Sequence, residues 1–93
     1  MFDENVLLEN DYNKYEDMHH LGSYFYQKKI KEDDKIKYFI NIYLKGEYVD
    51  LQFENNNYTI NITLFGIRVD MTLEEIETEV DNIWRNLKCN YYE

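Results

Sequence analysis

The sequence predicts an α+β fold: a four-stranded antiparallel β-meander with one C-terminal amphipathic helix packed on one face, preceded by an N-terminal arm or short helix. Three observations lead there. From Gly22 onward, apolar residues recur with period two in runs rich in β-branched and aromatic side chains. Short clusters of Gly, Asn and Asp separate those runs, and after Thr72 the apolar period becomes helical. Ninety-three residues make one domain with a thin two-layer core and no room for a deep enclosed active site. The expected divisions are an arm or short helix over 1–21, the sheet over 22–70 and the helix over 72–89.

In the first segment Leu8, Tyr12 and Tyr15 have helical spacing, while Asn5, Asn10 and Asn13 weaken a helix. Strands are expected at 23–31, 35–45, 48–54 and 57–65. Their register can be tested, because a correct one sets apolar residues opposite one another on a single face. Gly46-Glu47 as a two-residue loop with Gly first, the requirement of a type II′ turn, sets Leu44 against Val49, Ile42 against Leu51 and Ile40 against Phe53. Asn55-Asn56 likewise sets Leu51 against Ile60 and Val49 against Ile62. A three-residue loop, Glu32 to Asp34, sets Ile30 against Ile36, Tyr26 against Ile40 and Tyr24 against Ile42. Gly66 breaks the fourth run and marks a bulge or bend toward the helix.

The helix has a clear start. Thr72 is the expected N-cap and Glu75, three residues on, completes a capping box. Leu73, Ile76, Val80, Ile83, Trp84 and Leu87 form one apolar stripe, with Glu74, Glu77, Asp81, Arg85 and Lys88 expected on the opposite side.

The net charge of −9 is unevenly spread. Residues 1–18 hold six carboxylates against Lys14, and the helix segment is acidic too, whereas 19–45 is a lysine-rich hairpin. Such a field argues against direct nucleic-acid binding and favours basic partners. The lysines, with Phe25, Phe39 and Tyr43, also admit a single-strand nucleic-acid reading, but lysines on an edge strand are ordinary protection against edge-to-edge pairing. With an acidic N-terminal segment, one cysteine (Cys89) and no long apolar run, a cytoplasmic protein outside any membrane is expected. The sequons at Asn57 and Asn61 then carry no weight.

No catalytic constellation, metal set or cofactor signature is present. His19 and His20 are adjacent, so in an extended segment they point apart, and a metal site would need Glu16 or Asp17 in addition. Cys89 in the last helical turn reads as a small, partly buried residue. The three glycines are isolated, without a phosphate-cradling loop. A non-enzymatic role is expected.

The second sheet face is the informative surface. It collects Phe25, Gln27, Lys29, Lys37, Phe39, Asn41, Tyr43, Tyr48, Asp50, Gln52, Thr59, Asn61 and Thr63, too apolar for plain solvation and too polar for a core, with Phe39, Asn41, Tyr43, Tyr48, Asp50 and Gln52 as the candidate partner-binding residues. Either residues 1–21 fold over it or a partner does, a homodimer included, and aromatic enrichment suits a binding surface. Glu74, Glu77 and Asp81 are the second candidate surface. They are either a solvated row or an imitation of phosphate charges.

The stretch Lys35-Ile36-Lys37-Tyr38-Phe39-Ile40-Asn41-Ile42-Tyr43, following Tyr26-Gln27-Lys28-Lys29-Ile30, resembles small early-region proteins of phages that infect low-GC Gram-positive bacteria. The resemblance carries over no functional residue. It implies a class: small acidic inhibitors of host defence, anti-CRISPR and anti-restriction proteins among them, some of which look like DNA mimics. The expected partner is then a bacterial host protein with a basic nucleic-acid-binding groove. The alternatives are a homodimeric structural or regulatory phage accessory protein and a single-strand nucleic-acid binder.

Overall fold

The computed structural model describes residues 3–19, 21–32, 36–45, 48–57, 59–64 and 71–91, with side chains through Asn86. The elements are α1 (Glu4–Glu9), β1 (Asn13–Glu16), β2 (Tyr24–Glu32), β3 (Lys37–Tyr43), β4 (Tyr48–Glu54), β5 (Thr59–Thr63) and α2 (Leu73–Tyr91). The strands form one antiparallel sheet in chain order. The sheet thus has five described strands, not four.

The extra strand comes from the N-terminal segment. Asp3 caps α1, its carboxylate accepting from the Val6 N–H at 3.1 Å. Asp11 then takes a left-handed conformation (φ 71°), which a short polar side chain tolerates. The turn drops Leu7 and Tyr12 into the core and delivers β1 to the edge of β2. Gly22 (φ 83°) closes the β1–β2 turn in a conformation that suits glycine, and Asp17 N–H donates to the Ser23 carbonyl at 2.8 Å.

Each expected register holds its face and slides by two residues, β2–β3 as far as Lys29. Ile42 lies opposite Val49, Leu51 opposite Ile62, and Tyr26 opposite Ile42. A slip of two preserves the side of the sheet, whereas a slip of one would reverse it. The connections are correspondingly longer than the two-residue loops proposed at Gly46-Glu47 and Asn55-Asn56. Gly46, Glu47, Asp33, Asp34 and Gly66, on which turn or bend assignments rested, lie outside the described residues, as do His20 and the side chains of Leu87, Lys88 and Cys89.

The core lies between α2 and one sheet face. Tyr38, Ile40 and Ile42 of β3 and Val49, Leu51 and Phe53 of β4 meet Leu73, Ile76, Val80 and Trp84 of the helix. Trp84 packs its ring 4.4 Å from that of Tyr38 and 5.9 Å from that of Phe53, centroid to centroid. The Tyr38 hydroxyl donates to the Val80 carbonyl at 2.9 Å, so a buried polar tip is satisfied inside the apolar layer. The capping box forms in both directions: Glu75 N–H donates to Thr72 Oγ1 at 3.1 Å, and Thr72 N–H to Glu75 Oε1 at 3.3 Å.

One irregularity changes the surface. β2 and β3 are in step as far as Lys29 opposite Phe39, then Lys31 stands opposite Tyr38, leaving Ile30 as the extra residue of a bulge. The bulge brings Lys28 and Lys31, three apart in sequence, onto the helix side of the sheet. Their ammonium groups reach Glu77 at 3.2 Å and Asp81 at 3.5 Å.

Candidate functional site: the open face of the sheet

The face away from α2 is organised by cross-strand rows. Tyr15 stands opposite Phe25 and Tyr43 opposite Tyr48, and the rings of Phe25 and Tyr43 meet between β2 and β3. Their rings stack in sequence, with centroids 5.6, 5.4 and 4.4 Å apart and interplanar angles of 28°, 28° and 11°. This ladder follows from alternation together with the observed register, since aromatic side chains at matched positions of adjacent antiparallel strands meet side by side. Tyr15 is 45 % exposed and Tyr48 36 %. Leu7 of α1 and Tyr12 pack on the helix side and β1 joins the edge of the sheet, so of the two alternatives, residues 1–21 or a partner over this face, the structure does not show the first.

The next rows are polar. Gln27 Nε2 donates to Asn41 Oδ1 at 2.9 Å and to Gln52 Oε1 at 3.3 Å, and Asn41 Nδ2 donates to Gln52 Oε1 at 2.8 Å. Asn41 is only 1 % exposed although it lies on the open face, because its neighbours close over it. Asp50, 7 % exposed, accepts from the Thr63 hydroxyl at 2.9 Å. Burial raises the Asp50 carboxyl above the ordinary range, and the Thr63 hydrogen bond opposes the rise. The Tyr43 hydroxyl is pushed up to about 12, first by burial and then by the charges of Asp50, Tyr48 and Asp17. The Tyr43 hydroxyl therefore remains a protonated donor at neutral pH.

The six candidate partner-binding residues, Phe39, Asn41, Tyr43, Tyr48, Asp50 and Gln52, lie on this face, as do Phe25, Gln27 and Thr63, expected there by the same alternation. The rows add Tyr15, which is invisible without β1.

The helix carboxylates are arranged differently from the expected outer row. Of Glu74, Glu77 and Asp81, only Glu74 is exposed. Glu77 turns toward the sheet, accepting from the Tyr12 hydroxyl at 2.9 Å and from Lys28. Asp81 is held by Arg85 at 2.8 Å and by Lys31. The exposed carboxylates at the start of α2 are instead Glu74, Glu75 and Glu79, around a shallow groove with Thr72 and Thr78.

Among the described residues no group of three or more His, Cys, Asp or Glu side chains is placed to hold a metal ion, and no helix is long and apolar enough to cross a membrane. His19 is exposed, its backbone N–H bound to Asp17 Oδ1 at 3.0 Å. Comparison with protein-family models, curated proteins and solved structures finds no match.

Proposed function

We propose that this chain is a non-enzymatic inhibitor of the phage type, which acts by covering a surface of a host nucleic-acid-handling defence protein. The observation that carries the reading is the four-ring ladder with its amide network on the open sheet face. Rings already stacked on one another lose little side-chain freedom on docking, and buried aromatic anchors dominate binding energy at protein interfaces. The net charge of −9 and the exposed Glu74, Glu75 and Glu79 favour a basic partner surface and fast, salt-sensitive association.

The same geometry argues against a single-strand nucleic-acid binder. Such proteins offer free ring faces to the bases, whereas here Phe25 and Tyr43 turn their faces to neighbouring rings. The lysines of β2 are engaged as well: Lys28 with Glu77, Lys29 with Glu32, Lys31 with Asp81. DNA mimicry by the helix narrows to its first turns, since Glu77 and Asp81 are neutralised within the molecule.

Affinity capture from a low-GC Gram-positive lysate tests the reading. Wild type is expected to retain a basic nucleic-acid-binding protein at low salt, to lose it at high salt, and to inhibit that protein's activity. Tyr48→Asp, at an exposed site on the ladder, should abolish capture while leaving the far-ultraviolet circular dichroism unchanged. Retention of nothing but the chain itself would overturn the proposal.

A further inference from the structure

The two edges of the sheet are unlike. β1, at one edge, alternates charged residues, and Lys14 is tied to Glu4 at 2.8 Å. β5, at the other, reads Thr59-Ile60-Asn61-Ile62-Thr63, and residues 55–67 contain no Asp, Glu, Lys or Arg in a chain that is 31 % charged. Natural edge strands are usually blunted by lysine, proline or a bulge. β5 has none of these. All five of its residues are exposed, Ile60 to 45 % and Ile62 to 39 %, because α2 covers β3 and β4 and leaves the outermost strand bare.

The hydrogen-bond phase of β5 is fixed. Leu64 N–H donates to the Val49 carbonyl at 3.0 Å, and Leu51 stands opposite Ile62 and Phe53 opposite Ile60. In an antiparallel ladder bonded and unbonded pairs alternate. Leu64, Ile62 and Ile60 therefore direct their backbone groups to β4, while Thr59, Asn61 and Thr63 direct N–H and C=O outward.

The five residues are also a palindrome. An antiparallel neighbour with the same sequence, related by a two-fold axis through Asn61, meets Asn61 with Asn61, Thr59 with Thr63 and Ile60 with Ile62. The outward-facing residues are the ones such an axis brings into bonded pairs, each exchanging two backbone hydrogen bonds. The isoleucines fall in the closer, unbonded pairs on the helix side, where β-branched partners pack well. No like charges meet, although each chain carries −9.

We infer that β5 is a dimerisation edge and that its occupant is a second copy of this chain, joined antiparallel about Asn61 into one continuous ten-stranded sheet. The contact is isologous, so it closes at two copies, and the charged β1 edges at the far ends stop further growth. A five-residue edge with its isoleucines is smaller than the roughly 1,200 Å² at which stable interfaces begin. The dimer is accordingly reversible and concentration-dependent. This inference is independent of the proposed function, and its test involves no partner.

Sedimentation equilibrium of the full chain at moderate salt should show the 11.5 kDa species passing to twice that mass as concentration rises. Amide exchange supplies the signature. Ile60 and Ile62 should be protected at every concentration, whereas Thr59, Asn61 and Thr63 should gain protection only as the dimer forms. Asn61→Pro removes one outward N–H without touching the bonds to β4, and Ile60→Lys places a charge in the closer pairs. Both variants should remain folded and monomeric. A wild-type monomer throughout, a dimer that survives both substitutions, or assembly beyond two copies would each overturn the inference.

Discussion

Asp50 shows how a single side chain on the open face sets a pH response. It is nearly buried, with the Thr63 hydroxyl donating to one of its oxygens, and burial holds its carboxyl above the ordinary range. A carboxyl raised in the folded state binds its proton more tightly there than in the unfolded chain. Its favourable contribution is therefore complete below the unfolded pKa of about 4 and is lost as pH rises through the higher folded value. At neutral pH the ionised group works against the fold. Asp50→Asn keeps an acceptor for Thr63 and removes the charge, so it should raise the melting temperature at pH 7, and the gain should shrink as pH falls through the raised folded value and be gone below about 4. Paired thermal melts at the two pH values decide it: an equal gain at both would show that the charge is not the cause. Asp50 was legible as a residue of this face from alternation alone. Its burial was not, because it depends on which residues stand beside it, Asn41 on β3 and Thr63 on β5, and the expected registers placed others there.

Among the elements, α2 was the most legible, because its signals are local: a capping box and a stripe at helical period. Thr72→Ala removes the oxygen that accepts from Glu75 N–H and should cost about 1 kcal/mol. In a domain of this size that lowers the melting temperature by roughly 4–8 °C, and an unchanged melt would show that the cap contributes nothing. Strand parity was equally legible, since the two faces of β3 and β4 differ so strongly in polarity. Register was not, because slips of two residues keep every apolar side chain on the same side and differ only in loop length. β1 escaped because all four of its residues are exposed, so burial leaves no period in the sequence. The bulge at Ile30 is the most consequential of the hidden features. It turns Lys31 to the helix side, and with Lys28 it converts the expected outer row of Glu77 and Asp81 into an internal ion-pair seam.

At the scale of the whole molecule, that seam competes with the net charge, and magnitudes decide between them. The pairs Lys28–Glu77, Lys31–Asp81 and Arg85–Asp81 are partly exposed, so each contributes about 0–1 kcal/mol, and Lys14–Glu4 lies in open solvent. Against them stands a charge of −9 on a body whose radius of gyration is 13.2 Å. At about 0.01 M salt the screening length is roughly 30 Å, so every carboxylate repels every other across the fold; at about 0.15 M it is roughly 8 Å, and only near neighbours interact. Ion pairs in contact at 2.8–3.5 Å lose less over that range than the long-range repulsion, which is largely removed. Salt should therefore stabilise the fold, with the melting temperature rising between those two conditions. The measurement belongs on the Asn61→Pro variant, because screening also favours association of two like-charged chains and would otherwise add its own gain. A fall in melting temperature with salt would mean that the ion-pair seam outweighs the net charge.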